Sequence, residues 1–258
     1  MNILVLGDVV SSSGCEFVRK KLPALKKLKA IDFCIANGEN SAKGNGVTPA
    51  SAEHLFSSGV DFITGGNHSF RRNEVYDFLE SRDDIIRPYN FPSGAPGKGV
   101  SVVDLGRTRL AVINLMGTMF MGEALENPFY AADKALKETD GCKIVLVDFH
   151  AETTSEKKAL GFYLDGKVSA FFGTHTHVQT ADETILEKGT GYITDLGMCG
   201  PEESVLGVDK DIIINKFRTN MPLRFDTADN KECSLCGCIF VIDEKSGKCS
   251  EIERIYLK

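Results

Sequence analysis

The stretch that decides the fold is Asn2-Ile3-Leu4-Val5-Leu6-Gly7-Asp8, a short apolar run that ends in a glycine and an acidic residue. An unbroken apolar run of this length predicts a strand that is buried on both faces, as in a parallel sheet. Two more such runs follow, with helical patterns around them: strands at 31–36 and 61–64, and helices at 16–28, 48–58 and 72–81. Thr48-Pro49 is typical of a helix start, and Pro23 predicts a kink or a second helix start within the first helix.

The pattern changes after Pro88. Residues 99–105 and 109–115 predict an antiparallel pair of strands, a helix at 128–138 leads into a strand at 143–149, and Thr153 with Glu156 predicts a capping box that opens a helix to residue 164. Further strands are expected at 168–173, 183–187, 191–194, 235–243 and 251–257, the last two as a hairpin.

These elements predict an α/β fold in which two mixed sheets form a sandwich flanked by helices, within one domain that spans residues 1–258. A Rossmann-like single sheet is the alternative. It would require a Gly-x-Gly-x-x-Gly turn after the first strand, and Gly7-Asp8-Val9-Val10 is not such a turn.

Composition narrows the class of protein. The chain has 258 residues, of which 42% are hydrophobic and 26% charged, with a net charge of −6. These values favour an ordinary globular protein over a disordered chain, and the acidic balance argues against a protein that coats nucleic acid by charge alone. No apolar run approaches the ~20 residues of a membrane span. Without a signal sequence, the eight cysteines are expected to be reduced thiols in the cytoplasm.

Polar residues that can bind metal collect where the predicted strands end. Four of the five histidines lie just past a strand, as do several acids and amides: Asp8, Glu39, Asn40, Asn67, His68, His150, His175 and His177. Each one alone is explained by turn chemistry or by a structural histidine. Turn chemistry does not explain why such residues occur together at five strand ends. Ligand sites of α/β folds form at such ends, so a common site is the better interpretation.

The donor types indicate the metal. Carboxylates, amide oxygens and imidazoles suit iron, manganese or zinc, and they argue against a soft copper site. Seven donors are too many for one catalytic ion and suit two ions ~3.5–4 Å apart that share a carboxylate. Two divalent ions beside Asp8 and Glu39 would leave the site net positive, and thus attractive to a phosphate oxyanion.

A family resemblance follows from five segments that carry these residues. The chain resembles the YmdB-type family of calcineurin-like metallophosphoesterases at Gly7-Asp8, Asn37-Gly38-Glu39-Asn40, Gly66-Asn67-His68, Asp148-Phe149-His150-Ala151-Glu152 and Gly173-Thr174-His175-Thr176-His177. Residues 194–201 and 221–225 are also similar to that family. Two positions depart from the wider pattern: Val10 stands where the superfamily has a histidine, and Ser69-Phe70-Arg71 replaces a Trp-Asp segment of the pocket wall.

The resemblance implies a role for each site residue. Asp8, Glu39, Asn40 and His177 would hold one ion, and Glu39, Asn67, His150 and His175 the other, with Glu39 bridging. His68 would protonate the leaving oxygen. The implied activity is hydrolysis of small phosphodiesters, including 2′,3′-cyclic nucleotides opened at the 2′ bond.

Other assignments stay open at this stage. A regulatory nucleotide-binding or RNA-binding protein with weak catalysis would need the same donors, and a monoesterase or a nuclease is a further alternative.

The stretch from Met116 to Gly122 suits packing, a lid or a contact between copies of the chain. Cys233, Cys236, Cys238 and Cys249 are predicted to be structural and metal-free, because Cys236 and Cys238 alternate within an apolar strand, and zinc is the alternative.

Overall fold

The computed structural model describes residues 1–228 and 232–258. Its strands are β1 (Asn2–Val9), β2 (Phe33–Asn37), β3 (Phe62–Thr64), β4 (Val100–Asp104), β5 (Arg109–Met116), β6 (Ile144–His150), β7 (Ala170–Thr174), β8 (Thr184–Ile185), β9 (Gly191–Ile193), β10 (Met198–Pro201), β11 (Cys233–Ile242) and β12 (Cys249–Leu257). The helices are α1 (Ser11–Leu28), α2 (Pro49–Ser57), α3 (Tyr76–Ser81), α4 (Pro128–Lys137), α5 (Thr154–Leu164) and α6 (Lys210–Thr219), with a 3₁₀ turn at Asn73–Val75.

The described strands form two mixed sheets. The first has the order β12-β11-β10-β1-β2-β3 and the second β4-β5-β6-β7-β9-β8. Within them β1, β2 and β3 run parallel, as do β5, β6, β7 and β9, whereas β11 is antiparallel to its neighbours. The predicted pair of mixed sheets is therefore confirmed, and the single-sheet alternative is wrong.

Alternation along β1 explains how the sheets pack. Ile3 and Val5 point into the core between the two sheets, whereas Leu4 and Leu6 point into the core beneath α1 and α2. A third core lies between the outer face of the second sheet and helices α4 and α5. Because both faces of β1 are covered, its sequence is apolar throughout instead of alternating.

Three local predictions need correction. Pro23 lies inside one continuous helix, so the second helix start is wrong; the buried neighbours Leu22 and Leu25 hold the helix against the sheet on both sides of the proline. The helix expected at 72–81 is divided into the 3₁₀ turn and α3. At α5 the Thr153 side chain accepts from the Glu156 N–H, but the Glu156 carboxylate binds Thr118 instead of closing a capping box.

Two described elements were not predicted. Strand β10 is short and contains Gly200 and Pro201, so its composition resembles a turn. Helix α6 buries only Ile213 among its ten residues, so its apolar residues do not mark a core face. Its ends do carry readable signals: the Asp209 side chain caps the first N–H groups, and Asn220 ends the helix with a φ of 54°. No helix among the described residues is long and apolar enough to cross a membrane.

Candidate metal centre

The polar residues predicted at the strand ends lie together at one edge of the sandwich. Asp8 lies near the end of β1, Glu39 and Asn40 follow β2, and Asn67 and His68 follow β3. From the second sheet, His150 ends β6, and His175 and His177 follow β7. Both sheets therefore direct the ends of their parallel strands to the same point, which the hydrogen bonds between these residues establish.

One group of donors surrounds the imidazole of His150. Its Nε2 lies 2.9 Å from Asn67 Oδ1, 3.0 Å from His175 Nδ1 and 3.4 Å from Glu39 Oε1. Glu39, His150 and His175 form a group whose ligand atoms all lie within 4.8 Å of one another, as a shared ion would require.

A second group lies around His177. Its Nε2 is 3.5 Å from Asp8 Oδ1 and 3.3 Å from Asn40 Nδ2, and that same amide nitrogen donates to Glu39 Oε1 at 2.9 Å. Glu39 thus belongs to both groups. The Asn40 amide presents its nitrogen to this group and its oxygen to His68, so ligation through the oxygen would require the amide to turn over.

His68 contacts both oxygens of Glu39. Its backbone N–H donates to Oε2 at 2.7 Å, and its ring Nδ1 lies 3.0 Å from Oε1. The side chain also lines an open cavity beside the donors. Because Nδ1 is engaged, Nε2 is the ring nitrogen that remains for a substrate oxygen.

Two features fit a metal centre better than a closed network of hydrogen bonds. Asp8 Oδ1 is buried without a hydrogen-bond partner, and such a carboxylate oxygen is costly unless a cation neutralises it. At Gly66, a Cβ atom would lie 2.4 Å from Glu39 Oε2 and 2.5 Å from His150 Nε2. A side chain at Gly66 would therefore enter the space between the donors.

The two carboxylates of the centre are held in their charged forms. Burial raises the pKa of Asp8, but His177 and His150 outweigh it and hold that pKa below its ordinary value. Glu39 behaves in the same way, since burial is outweighed by His150 and His68 and its pKa lies well below the usual range. Burial opposes the charged form of His150, yet Glu39 and Asp8 raise its pKa to about 9. Burial and the neighbouring His150 lower the pKa of His175 to about 4.

Asp148 orients His150 through the hydroxyl group of Thr174. It accepts hydrogen bonds from Thr64 Oγ1, from Asn37 Nδ2 at 3.2 Å and from Thr174 Oγ1 at 2.7 Å. Because the single hydroxyl proton of Thr174 goes to Asp148, Thr174 Oγ1 accepts from His150 Nδ1 at 2.9 Å. This orients the ring and directs Nε2 at the centre, where a bound ion would replace its proton.

The loop that carries His175 and His177 is strained. Their φ angles are 100° and 62°, in the left-handed region that such residues seldom adopt. Two carboxylates hold the loop: Asp8 Oδ2 accepts from the His175 N–H at 3.0 Å, and Asp195 Oδ2 accepts from the Thr176 N–H at 3.2 Å.

A buried ion pair fixes Asp195. Lys157 Nζ lies 2.6 Å from Asp195 Oδ2, and the two side chains are only 0% and 1% exposed. Asp195 Oδ1 also accepts from the Gly197 N–H at 2.8 Å, and Gly197 O accepts from the Asp8 N–H at 3.1 Å. The pair therefore links helix α5 to both the histidine loop and the end of β1.

Sequence reasoning assigned no role to Asp148, Lys157 or Asp195, although signals were present. Asp148 is an acid that alternates with apolar residues on the inner face of a buried strand, and Asp195 follows a strand end as the predicted donors do. Lys157 carried no signal, because a lysine in a helix is ordinarily solvated.

The four cysteines are spread along the β11–β12 hairpin, with Cys233 opposite Pro201 at its open end and Cys249 near its turn. Cys238 faces Arg254 and Cys249 faces Ile242 in the strand register. All four cysteines of the cluster are buried, and burial raises the pKa of Cys236 and of Cys249 to about 11. A metal-free role for the cluster stays a prediction.

Comparison with known proteins gives consistent matches. A family model described as YmdB-like protein matches residues 4–255. A Bacillus subtilis (strain 168) protein named 2′,3′-cyclic-nucleotide 2′-phosphodiesterase is 47% identical over 258 residues, covering 100% of this chain and 97% of the relative. This bears out the family resemblance.

Solved structures of related proteins have the same fold as this chain. A hypothetical protein from Thermus thermophilus has a TM-score of 0.93 at 39% identity, covering 100% of this chain and 99% of that one. A structure described as a novel phosphatase from Mycoplasma pneumoniae has a TM-score of 0.94 at 34% identity, covering 100% and 93%. The NAD nucleotidase of Haemophilus influenzae, with a TM-score of 0.60 at 12% identity over 99% of this chain and 55% of that one, shares the fold alone. The predicted calcineurin-like fold is confirmed.

Proposed function

This chain belongs to the YmdB-like protein family, and from that premise we propose that it is a metal-dependent phosphodiesterase that hydrolyses small phosphodiesters. The 47% identical relative is named for 2′,3′-cyclic nucleotides and the 2′ bond, and we infer the same substrate class and the same bond here. We also propose that residues 1–258 act as one domain, and that the enzyme is cytoplasmic.

The observation that carries the proposal is the position of Glu39 between two groups of donors. It lies with His150 and His175 on one side, and it contacts Asn40 on the other. We propose that Asp8, Glu39, Asn40 and His177 hold one ion, and that Glu39, Asn67, His150 and His175 hold the second. Iron is our first choice of metal, with manganese or zinc as alternatives.

Bound divalent ions would supply positive charge for the phosphoryl oxygens and activate water near neutral pH. The residues of the chain do the remaining work. Asp148 and Thr174 orient His150, and Asp195 holds the loop between His175 and His177. These contacts preorganise the donors, so that little rearrangement is needed when a phosphate binds.

We assign the proton transfer to His68. A sugar alkoxide is a poor leaving group unless it is protonated, and a histidine beside the phosphate can provide that proton. His68 Nδ1 lies 3.0 Å from Glu39 Oε1, and this contact steadies the ring. The ring lines the cavity, so that Nε2 can meet the leaving oxygen.

The test is a turnover screen on protein of defined metal content. Adenosine 2′,3′-cyclic phosphate, a linear dinucleotide and a nucleoside monophosphate should be compared at equal concentration, with Asp8→Ala as the inactive control. We expect the cyclic diester to be opened to the 3′-monophosphate, and the variant to lose both metal and turnover. Turnover of the monoester alone would contradict a phosphodiesterase, and binding without turnover of any ester would favour a regulatory protein.

A further inference from the structure

A cavity of about 440 Å³ opens beside the metal centre. Its volume lies in the range of small-ligand sites. Its lining includes His68 and His177 from the strand-end centre, together with the apolar residues Leu206, Val208 and Phe225. The cavity therefore offers apolar side chains beside polar groups suited to phosphate.

Phe225 contributes an aromatic ring to this lining. The residue is 44% exposed, and Lys216 Nζ lies 4.4 Å from its ring centroid. The chain around it is anchored, because the Asp209 N–H donates to Asp226 O at 3.0 Å and the Ala228 N–H donates to Gly207 O at 2.9 Å. An anchored aromatic ring that remains exposed in a ligand cavity can accept a flat partner.

Leu206 belongs to the same lining and is held in an unfavourable backbone conformation. It lies in a tight turn closed by two hydrogen bonds between Val205 and Val208, and its φ is 56°. A leucine is poorly suited to that region, yet its side chain remains 47% exposed. Its carbonyl oxygen lies 3.0 Å from His177 Nδ1. One strained turn therefore both orients a proposed metal ligand and presents an apolar side chain to the cavity.

We propose that Phe225 and Leu206 form a nucleobase subsite, which binds the base of a nucleotide whose phosphate lies at the strand-end centre. This inference rests on the proposed function, which supplies the phosphate end of the ligand. Stacking on an aromatic face tolerates every base, so we expect all four nucleoside 2′,3′-cyclic phosphates to be accepted.

The experiment compares a substrate with and without a base. For Phe225→Ala, the KM of adenosine 2′,3′-cyclic phosphate should rise roughly 5- to 150-fold, the usual contribution of one stacked base, with kcat little changed. The KM of base-free ribose 2,3-cyclic phosphate should stay the same. Phe217 is 79% exposed on α6 and lies outside the cavity lining, so Phe217→Ala is the matched control.

Leu206→Asn provides a second variant. Asparagine suits the left-handed region, so the melting temperature should rise while the KM for the cyclic nucleotide also rises. A lower melting temperature with an unchanged KM would remove Leu206 from the subsite.

The subsite and the proposed function fail differently. An unchanged KM for the cyclic nucleotide in Phe225→Ala, or an equal rise for the base-free substrate, would overturn the subsite. If the wild-type protein turns over neither substrate, the proposed function fails, and calorimetric binding of adenosine 3′-monophosphate decides the subsite. Weaker binding to Phe225→Ala than to the wild type would then support it, and equal binding would overturn it.

Discussion

Replacing Asp195 by alanine tests how the histidine loop is held. The change removes the partner of Lys157, whose side chain is fully buried, and the acceptor of the Thr176 and Gly197 N–H groups. The loop would lose the hydrogen bond that holds the Thr176 N–H, at the residue between the strained His175 and His177.

The expected loss of stability is large. Breaking a buried ion pair by removing one partner costs about 3–5 kcal/mol. For a chain of this size, that loss corresponds to a fall in melting temperature of roughly 6–20 °C. Because whole domains are stable by only about 5–15 kcal/mol, this loss removes a large fraction of the margin that keeps the domain folded.

Two measurements and two comparison variants separate this account from a general loss of stability. Chemical denaturation gives the free energy of unfolding, and elemental analysis gives the metal content, which should fall in Asp195→Ala. Leu22→Ala, a cavity in α1 that costs about 2–5 kcal/mol, is the matched control and should retain its metal. The pair Lys157→Met with Asp195→Asn removes the buried charge and should recover most of the stability. A loss below about 1 kcal/mol in Asp195→Ala, with full metal content, would refute the reasoning.

Three further predictions concern the centre itself. Gly66→Ala should lose metal because its Cβ would lie 2.5 Å from His150 Nε2, whereas Gly94→Ala, with no atom within 4 Å of its Cβ, should keep it; equal metal contents would contradict the steric argument. His68→Ala should retain metal but lower turnover roughly 10²–10⁴-fold, with a smaller loss for a nitrophenyl ester, and equal losses for both substrates would assign His68 to positioning instead. The pKa of His150 is about 9 without metal, so at pH 7 a binding ion must displace its proton, and the apparent affinity should rise with pH and level off near pH 9. Calorimetry in buffers of different protonation enthalpy measures that proton, and its absence at pH 7 would contradict the assignment.

The sequence predicted the parts of the fold that depend on apolar runs. Strand β1, the β4–β5 pair and the β11–β12 hairpin lie close to where the patterns placed them. Strand β10 was missed because Gly200 and Pro201 resemble a turn, and helix α6 because only Ile213 of its ten residues is buried. Their positions depend on tertiary contacts, such as the pairing of β10 with β1 and β11.

The site was predicted to a similar depth. The strand-end rule located the donors, which the structure places together, because parallel strands bring sequence-distant residues to one edge. The rule did not identify the residues that hold these donors in place. The link from His150 through Thr174 to Asp148 spans two strands, and the link from Lys157 to Asp195 joins a helix to a loop 38 residues away. Such partners depend on how the elements pack, which spacing along one chain does not reveal.

The central claim is a centre of two ions that share Glu39, and metal stoichiometry tests it most directly. Protein purified without chelator should contain about two transition-metal ions per chain, and Glu39→Ala should lose most of both. The variant with Cys233→Ser and Cys238→Ser should keep the wild-type value. A wild-type stoichiometry near one that Glu39→Ala leaves unchanged would contradict the shared carboxylate.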